Sequence, residues 1–147
     1  MCAGLLGMLP AAQAAEDLLP LLAQDLPAGC GCQVRPLQSP RGAPVLVWSG
    51  EGRKDGWVRV AEGLQTLSLR DEKHIPLRQG PPRPGDRFVL YLANGDWQAQ
   101  VLGLAEENTC GRQHKTCSQH RYRGRLLLQH KGGAQRERLI DLRCDCP

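Results

Sequence analysis

A chain of 147 residues with a formal net charge of +4 is long enough for one domain with a modest core and too short for two. Its 17 glycines and 11 prolines exclude a helical bundle, and with three Trp, two Tyr and one Phe the core has to be built from Leu and Val. Seven cysteines in so short a chain indicate an oxidising compartment or a metal site.

The chain starts with an uncharged apolar run, Ala3 to Ala12, which is about as long as the apolar region of a signal peptide. Ala12-Gln13-Ala14 follows the small-x-small pattern at which signal peptidases cleave. We therefore expect residues 1–14 to be a leader and the protein to be periplasmic or secreted. No basic residue precedes the apolar run, which is expected if the leader is truncated at its start or if the segment is not a signal. The alternative is an amphipathic helix that continues to Leu26. No later stretch approaches the ~20 apolar residues of a transmembrane helix.

Residues 15–29 are predicted to be a short helix and a lead-in to the domain that follows. Within Glu16 to Leu26, leucines recur at a helical spacing, and Pro27 ends the pattern. A helix of this length needs packing against the rest of the molecule to persist.

Residues 30–147 are predicted to form a single β domain, because short apolar runs now alternate with turn residues. Strands are expected at Val45–Trp48, Trp57–Ala61 and Gln65–Arg70, with the tryptophans in the core. Residues 71–85 hold four prolines and are predicted to be an irregular surface loop.

A hairpin is predicted around Asn94-Gly95, the dipeptide that favours a type I′ turn. It would join Arg87–Ala93 to Asp96–Leu102 and place Leu92 opposite Trp97, so that one face of the pair is apolar.

A second hairpin is predicted from Tyr122–Lys131 and Glu137–Cys146. A loop of Gly132 to Arg136 would set Leu128 opposite Ile140, whereas shorter loops would pair Leu with Arg on the inner face.

About six to seven short strands in sequential hairpins predict an all-β fold, a small antiparallel barrel or sandwich with a short N-terminal helix.

The cysteines indicate that this domain is stapled by disulfides. Bridges within Cys-x-Cys are strained, because alternating side chains in a strand diverge. Two such segments lying antiparallel can pair across, Cys30 with Cys146 and Cys32 with Cys144, which leaves Cys110 to pair with Cys117. The six candidates are Cys30, Cys32, Cys110, Cys117, Cys144 and Cys146.

Metal binding is the alternative use of these residues. Four thiolates from the two Cys-x-Cys segments, or the set Cys110, His114, Cys117 and His120, could hold zinc or copper, although the spacing of the second set differs from common zinc motifs. We expect disulfides and no cofactor, because an oxidising compartment consumes thiolates.

The last quarter of the chain is basic. From Cys110 onward the chain has nine Lys/Arg and three Asp/Glu, a net charge of +6, which leaves a net charge of −2 for the rest. No P-loop, Gly-x-Ser-x-Gly or dinucleotide motif is present, so we expect a non-catalytic domain that binds an envelope component or an anionic polymer through this basic quarter. The alternative is that the arginines only form a solvated outer face of the strands. One aromatic among these arginines makes nucleic acid a poor partner. The residues of this predicted basic patch are Arg112, Lys115, Arg121, Arg123 and Arg125.

Overall fold

Buried and outward-facing side chains alternate along most of the strands, as a sheet closed around a core requires. The computed structural model describes residues 18–26, 31–49, 55–79, 83–106 and 120–145. The strands in these ranges are β1 (Gly31–Pro36), β2 (Leu46–Ser49), β3 (Asp55–Val60), β4 (Gly63–Ile75), β5 (Arg87–Ala93), β6 (Trp97–Ala105), β7 (His120–His130) and β8 (Arg136–Asp145).

Each strand pairs antiparallel with the next one along the chain, and β1 pairs with β8, so that the sheet closes into a barrel. This confirms the prediction of an all-β fold and decides between barrel and sandwich in favour of the barrel. The described residues contain eight strands, not six or seven.

Apolar side chains fill the inside of the barrel, as expected for an eight-stranded closure. Trp48 and Trp97 are buried there, but Trp57 lies between Gly56 and Val58 and takes an outward position, so its prediction as core was wrong. The largest fully buried side chains include Leu46, Leu67, Phe88, Leu90, Leu92, Leu126, Ile140 and Leu142.

A disulfide lies across the seam between the first and last strands. Cys32 is opposite Cys144 in the register of β1 and β8, and their sulfurs are bonded, with 4.0 Å between the Cα atoms. This is one of the pairs that the sequence favoured. Cys30 and Cys146 lie outside the described residues, although their neighbours Gly31 and Asp145 are paired.

The predicted helix at Glu16–Leu26 is not formed over its described part, which begins at Leu18. The N–H groups of Leu19 and Leu21 donate to the carbonyls of Arg59 and Pro44, both at 2.8 Å, so they are engaged with the barrel and not with a helix. A 3-10 turn, Ala23–Asp25, is the helical element there. Within the described residues no helix is long and apolar enough to cross a membrane.

The predicted loop over residues 71–85 was wrong in its first half. β4 continues to Ile75 and pairs with β5, with a register irregularity between Leu69 and Asp71. All five residues from Asp71 to Ile75 are exposed. They therefore carry no apolar alternation, which is the signal that sequence reasoning uses to recognise a strand.

The hairpin between β5 and β6 exists, but its predicted turn and register were wrong. Leu92 lies opposite Ala99, two residues from the predicted partner, and neither Asn94 nor Gly95 has a positive φ. The Asn94 side-chain oxygen accepts the N–H groups of Asp96 and Trp97 at 2.9 and 2.7 Å. This side-chain turn replaces the expected backbone turn, and a shift by two keeps the same face apolar.

The predicted register of the hairpin between β7 and β8 was also wrong, and its turn is shorter than predicted. Leu128 lies opposite Arg136 and Leu126 opposite Arg138, the Leu–Arg pairs that the sequence argument rejected. Gly132 has a φ of 74° and permits the tight turn. Both arginines are close to the end of the barrel and partly exposed, where a long side chain can reach water from an inward position.

Candidate anion-binding face

Arginines gather on the outer face of β7, β8 and β1. In β7, Tyr122 and Leu126 point into the core, so Arg121, Arg123 and Arg125 take outward positions. The register then places arginines of the two neighbouring strands beside them. We call the outward set the arginine face: it consists of Arg35, Arg121, Arg123, Arg125 and Arg143 with the carboxylates Glu106, Glu137 and Asp141.

Asp141 is the centre of this face. Its side chain is 1% exposed although it points away from the core, because arginines cover it. One oxygen accepts the Nε–H of Arg121 at 2.8 Å, and the other accepts the Nε–H of Arg143 at 3.0 Å. Arg121 and Arg143 are directly opposite each other across the strands, so the carboxylate offsets a like-charge pair.

Two further carboxylates pair with the exposed arginines of β7. Glu106 lies 3.2 Å from Arg121 and 2.8 Å from Arg123, and Glu137 lies 3.5 Å from Arg125. Hydrogen bonding from Arg121 to Asp141 raises the pKa of that guanidinium, and the charges of Asp141 and Glu106 act in the same direction. Arg121 is therefore held more firmly as a cation.

Arg35 joins the face from β1. It is opposite Asp141 in the register, donates from Nε to the Gly42 carbonyl at 2.9 Å, and contacts the side-chain oxygen of Gln33. Burial lowers the pKa of Arg35, and the charge of Arg143 lowers it further. The described side chains of this face thus place five guanidinium groups against three carboxylates, an excess of two positive charges.

The spacing of these groups suits a repeating anion. Alternate residues of a strand lie about 6.5–7 Å apart, so Arg121, Arg123 and Arg125 form a row of donors at regular intervals. A guanidinium presents planar paired donors that match phosphate, sulfate and carboxylate. The side chains of Arg123, Arg125 and Arg143 are 58%, 51% and 47% exposed, so their donors can reach a ligand.

The structure brings together three of the five residues predicted as the basic patch. Arg121, Arg123 and Arg125 share the face, whereas Arg112 and Lys115 lie outside the described residues. Sequence reasoning did not assign Arg35 or Arg143 to it. Arg143 could have been assigned to this face from the sequence, because it follows the inward-facing Leu142. Arg35 lies on this face only because the barrel closes between β1 and β8.

Of the alternative metal ligands, His120 is described and lies opposite Cys144, while Cys110, His114 and Cys117 lie outside the described residues. Cys32 and Cys144 are bonded to each other, and a disulfide sulfur is not a thiolate ligand, so the four-thiolate set is incomplete while that bond is intact. No group of three His, Cys, Asp or Glu in the described ranges is arranged to hold a metal ion. Metal binding through the loop set stays a prediction.

An aromatic cluster lies inside the same end of the barrel as the disulfide. The Phe88 ring is 5.2 Å from Tyr122 and 4.9 Å from His74, which is the half-exposed member. Burial raises the pKa of Tyr122, and the charges of Asp86 and Glu72 raise it further. Asp86 accepts the N–H groups of Leu77 and Arg83, so this carboxylate organises the β4–β5 connection.

Comparison with protein-family models, with curated proteins and with solved structures finds no match for this chain. The arginine face is therefore interpreted from its own geometry.

Proposed function

We propose that this chain is an exported, non-catalytic β-barrel domain that binds an anionic component of the cell envelope through the arginine face. The observation that carries the proposal is the excess of guanidinium groups over carboxylates on one outer face, with three of the arginines about half exposed. Guanidinium groups supply charge and donors but neither a nucleophile nor a general base at neutral pH, which favours binding over catalysis.

One feature supports export. The Cys32–Cys144 bond is of the kind that persists in the periplasm or outside the cell and is rare in the cytosol.

Polyphosphate binding tests the arginine face directly. We expect the double variant Arg123→Gln/Arg125→Gln to bind polyphosphate roughly tenfold more weakly, with a smaller dependence of affinity on salt, because two phosphate contacts are lost. Both residues are exposed, and their partners Glu106 and Glu137 are partly exposed, so folding should be preserved.

The matched control is Arg70→Gln/Arg78→Gln, which removes the same charge from exposed positions off this face. Equal loss of affinity in both variants would show that net charge and not the face is responsible. Binding that does not weaken with added salt would contradict the proposal outright.

Export is tested by mass. Protein recovered from the periplasm should have an intact mass that corresponds to a chain starting at Ala15. A chain that stays in the cytosol with residues 1–14 attached would contradict this part of the proposal and leave the arginine face untouched.

A further inference from the structure

Two exposed leucines lie beside the arginines on the outer face of the barrel. Leu104 and Leu139 are 52% and 59% exposed. Leu104 lies directly opposite Arg123, and Leu139 lies directly opposite Arg125. Exposed apolar side chains therefore alternate with guanidinium groups across three neighbouring strands.

The register orders this surface along the strands. The cross-strand row with Arg121 and Arg143 comes first, followed by the row with Leu104, Arg123 and Asp141. The next row is Leu102, Arg125 and Leu139, and Leu127 follows it. Successive outward-facing rows are about 6.5–7 Å apart, so charged groups give way to apolar groups over a distance of about 20 Å.

We infer that the envelope component is a bilayer surface containing anionic phospholipid. The inference rests on the proposed function and names the ligand of the same face. Arg123, Arg125 and Arg143 would contact lipid phosphates, while Leu104 and Leu139 enter the boundary between headgroups and acyl chains.

Charge and apolar exposure together select this partner. The excess of two positive charges complements anionic headgroups. A polyphosphate or an acidic polysaccharide satisfies the arginines but leaves both leucines in water, whereas a lipid surface removes them from water. The exposed leucines are therefore accounted for by lipid and not by a polymer of charge alone.

The test measures binding to phosphatidylcholine vesicles with and without phosphatidylglycerol. The wild-type protein should bind the vesicles that contain phosphatidylglycerol and not the neutral ones. The variant Leu104→Ser/Leu139→Ser should bind them about tenfold more weakly, because it loses apolar contact area. Its affinity for polyphosphate should stay within about twofold of wild type, since the arginines are unchanged.

The matched control is Leu22→Ser/Leu64→Ser. These leucines are 46% and 40% exposed and lie in the N-terminal segment and on β4, away from the arginine face. The control should bind both probes as the wild type does.

The outcomes separate this inference from the function on which it rests. Vesicle binding by Leu104→Ser/Leu139→Ser equal to wild type would overturn the lipid inference and leave polyanion binding standing. Loss of wild-type binding to both polyphosphate and vesicles would overturn both. If wild type does not bind vesicles but self-associates in sedimentation, and the leucine variant does not, the face joins two copies and the inference is wrong.

Discussion

Asp141 separates two arginines that the register places face to face. Without its carboxylate, Arg121 and Arg143 would repel each other, with Arg35 close by on β1. The sequence showed that Asp141 occupies a polar, outward position between Ile140 and Leu142. Its burial was not predictable, because the side chains that cover it come from three strands and from both ends of the domain.

We predict that Asp141→Asn lowers the free energy of unfolding by about 2 kcal/mol, the order expected when hydrogen bonds between charged groups are lost. Glu137→Gln is the comparison, because Glu137 is half exposed and 3.5 Å from Arg125; its effect should be below about 0.5 kcal/mol. Urea unfolding of both variants measures the difference. Equal effects would show that Asp141 behaves as an ordinary surface ion pair.

Asp25 fastens the N-terminal segment to the barrel. Its oxygens accept from the guanidinium of Arg59 at 2.8–3.1 Å and from the N–H of Leu22 at 2.8 Å. The N–H of Leu22, followed by Arg59, lowers the pKa of Asp25 below its usual value.

Acid should therefore release this contact. Because the pKa is lower in the folded state, the stabilisation is fully present above the unfolded value of about 4 and is lost as the pH falls through the folded value. The difference in unfolding free energy between wild type and Asp25→Asn should shrink over that range, as followed by urea unfolding at a series of pH values. Parallel curves for the two proteins would contradict this role of Asp25.

At the scale of elements, a pair of glycines lets β6 and β7 approach each other. Gly103 and Gly124 are directly opposite in the register, and Tyr122 lies over Gly103. A Cβ at Gly124 would overlap the carbonyl oxygen of Leu102, which is backbone and cannot move away cheaply. The sequence contained both glycines within apolar strands, but their pairing depends on the register and was not predicted.

Gly124→Ala should therefore destabilise the barrel by at least about 2 kcal/mol. Gly95→Ala is the control, since it has no positive φ and a Cβ there meets nothing within 4 Å; its effect should stay within about 0.5 kcal/mol. Thermal unfolding of the two variants checks the prediction. A tolerated Gly124→Ala would mean that the two strands can separate locally without loss.

The elements themselves were predictable where one face is apolar, as in β5 and β6. β1 has two buried inward residues, Cys32 and Val34, and the second half of β4 has none, so neither gave an alternating signal over its length. The predicted register was wrong at both hairpins. At the first, the sequence did not indicate the side-chain turn at Asn94, and at the second it did not indicate that arginines take inward positions near the end of the barrel. The arginine face was predicted for β7, where three arginines alternate along one strand.

At the scale of the molecule, the disulfide between Cys32 and Cys144 ties strands that are 112 residues apart. We predict that Cys30→Ser/Cys32→Ser/Cys144→Ser/Cys146→Ser, which also removes the predicted second bridge across the same loop, lowers the unfolding free energy by about 3–5 kcal/mol, because a long loop in the unfolded chain is then no longer restricted. Cys110→Ser/Cys117→Ser, which removes the shorter predicted loop, should cost less, about 2.5 kcal/mol at most. Urea unfolding without reductant measures both, and an equal loss would contradict the loop-length argument.

The pairing of the first strand with the last also decides when folding can finish. Six residues of β1 pair with residues of β8, and β8 is the last of the eight strands to be synthesised. Contacts between residues so distant in sequence form slowly, and the barrel cannot close before β8 has been synthesised. For a chain proposed to cross a membrane before it folds, a late closure of the barrel favours an open polypeptide during passage and oxidation of the cysteines afterwards.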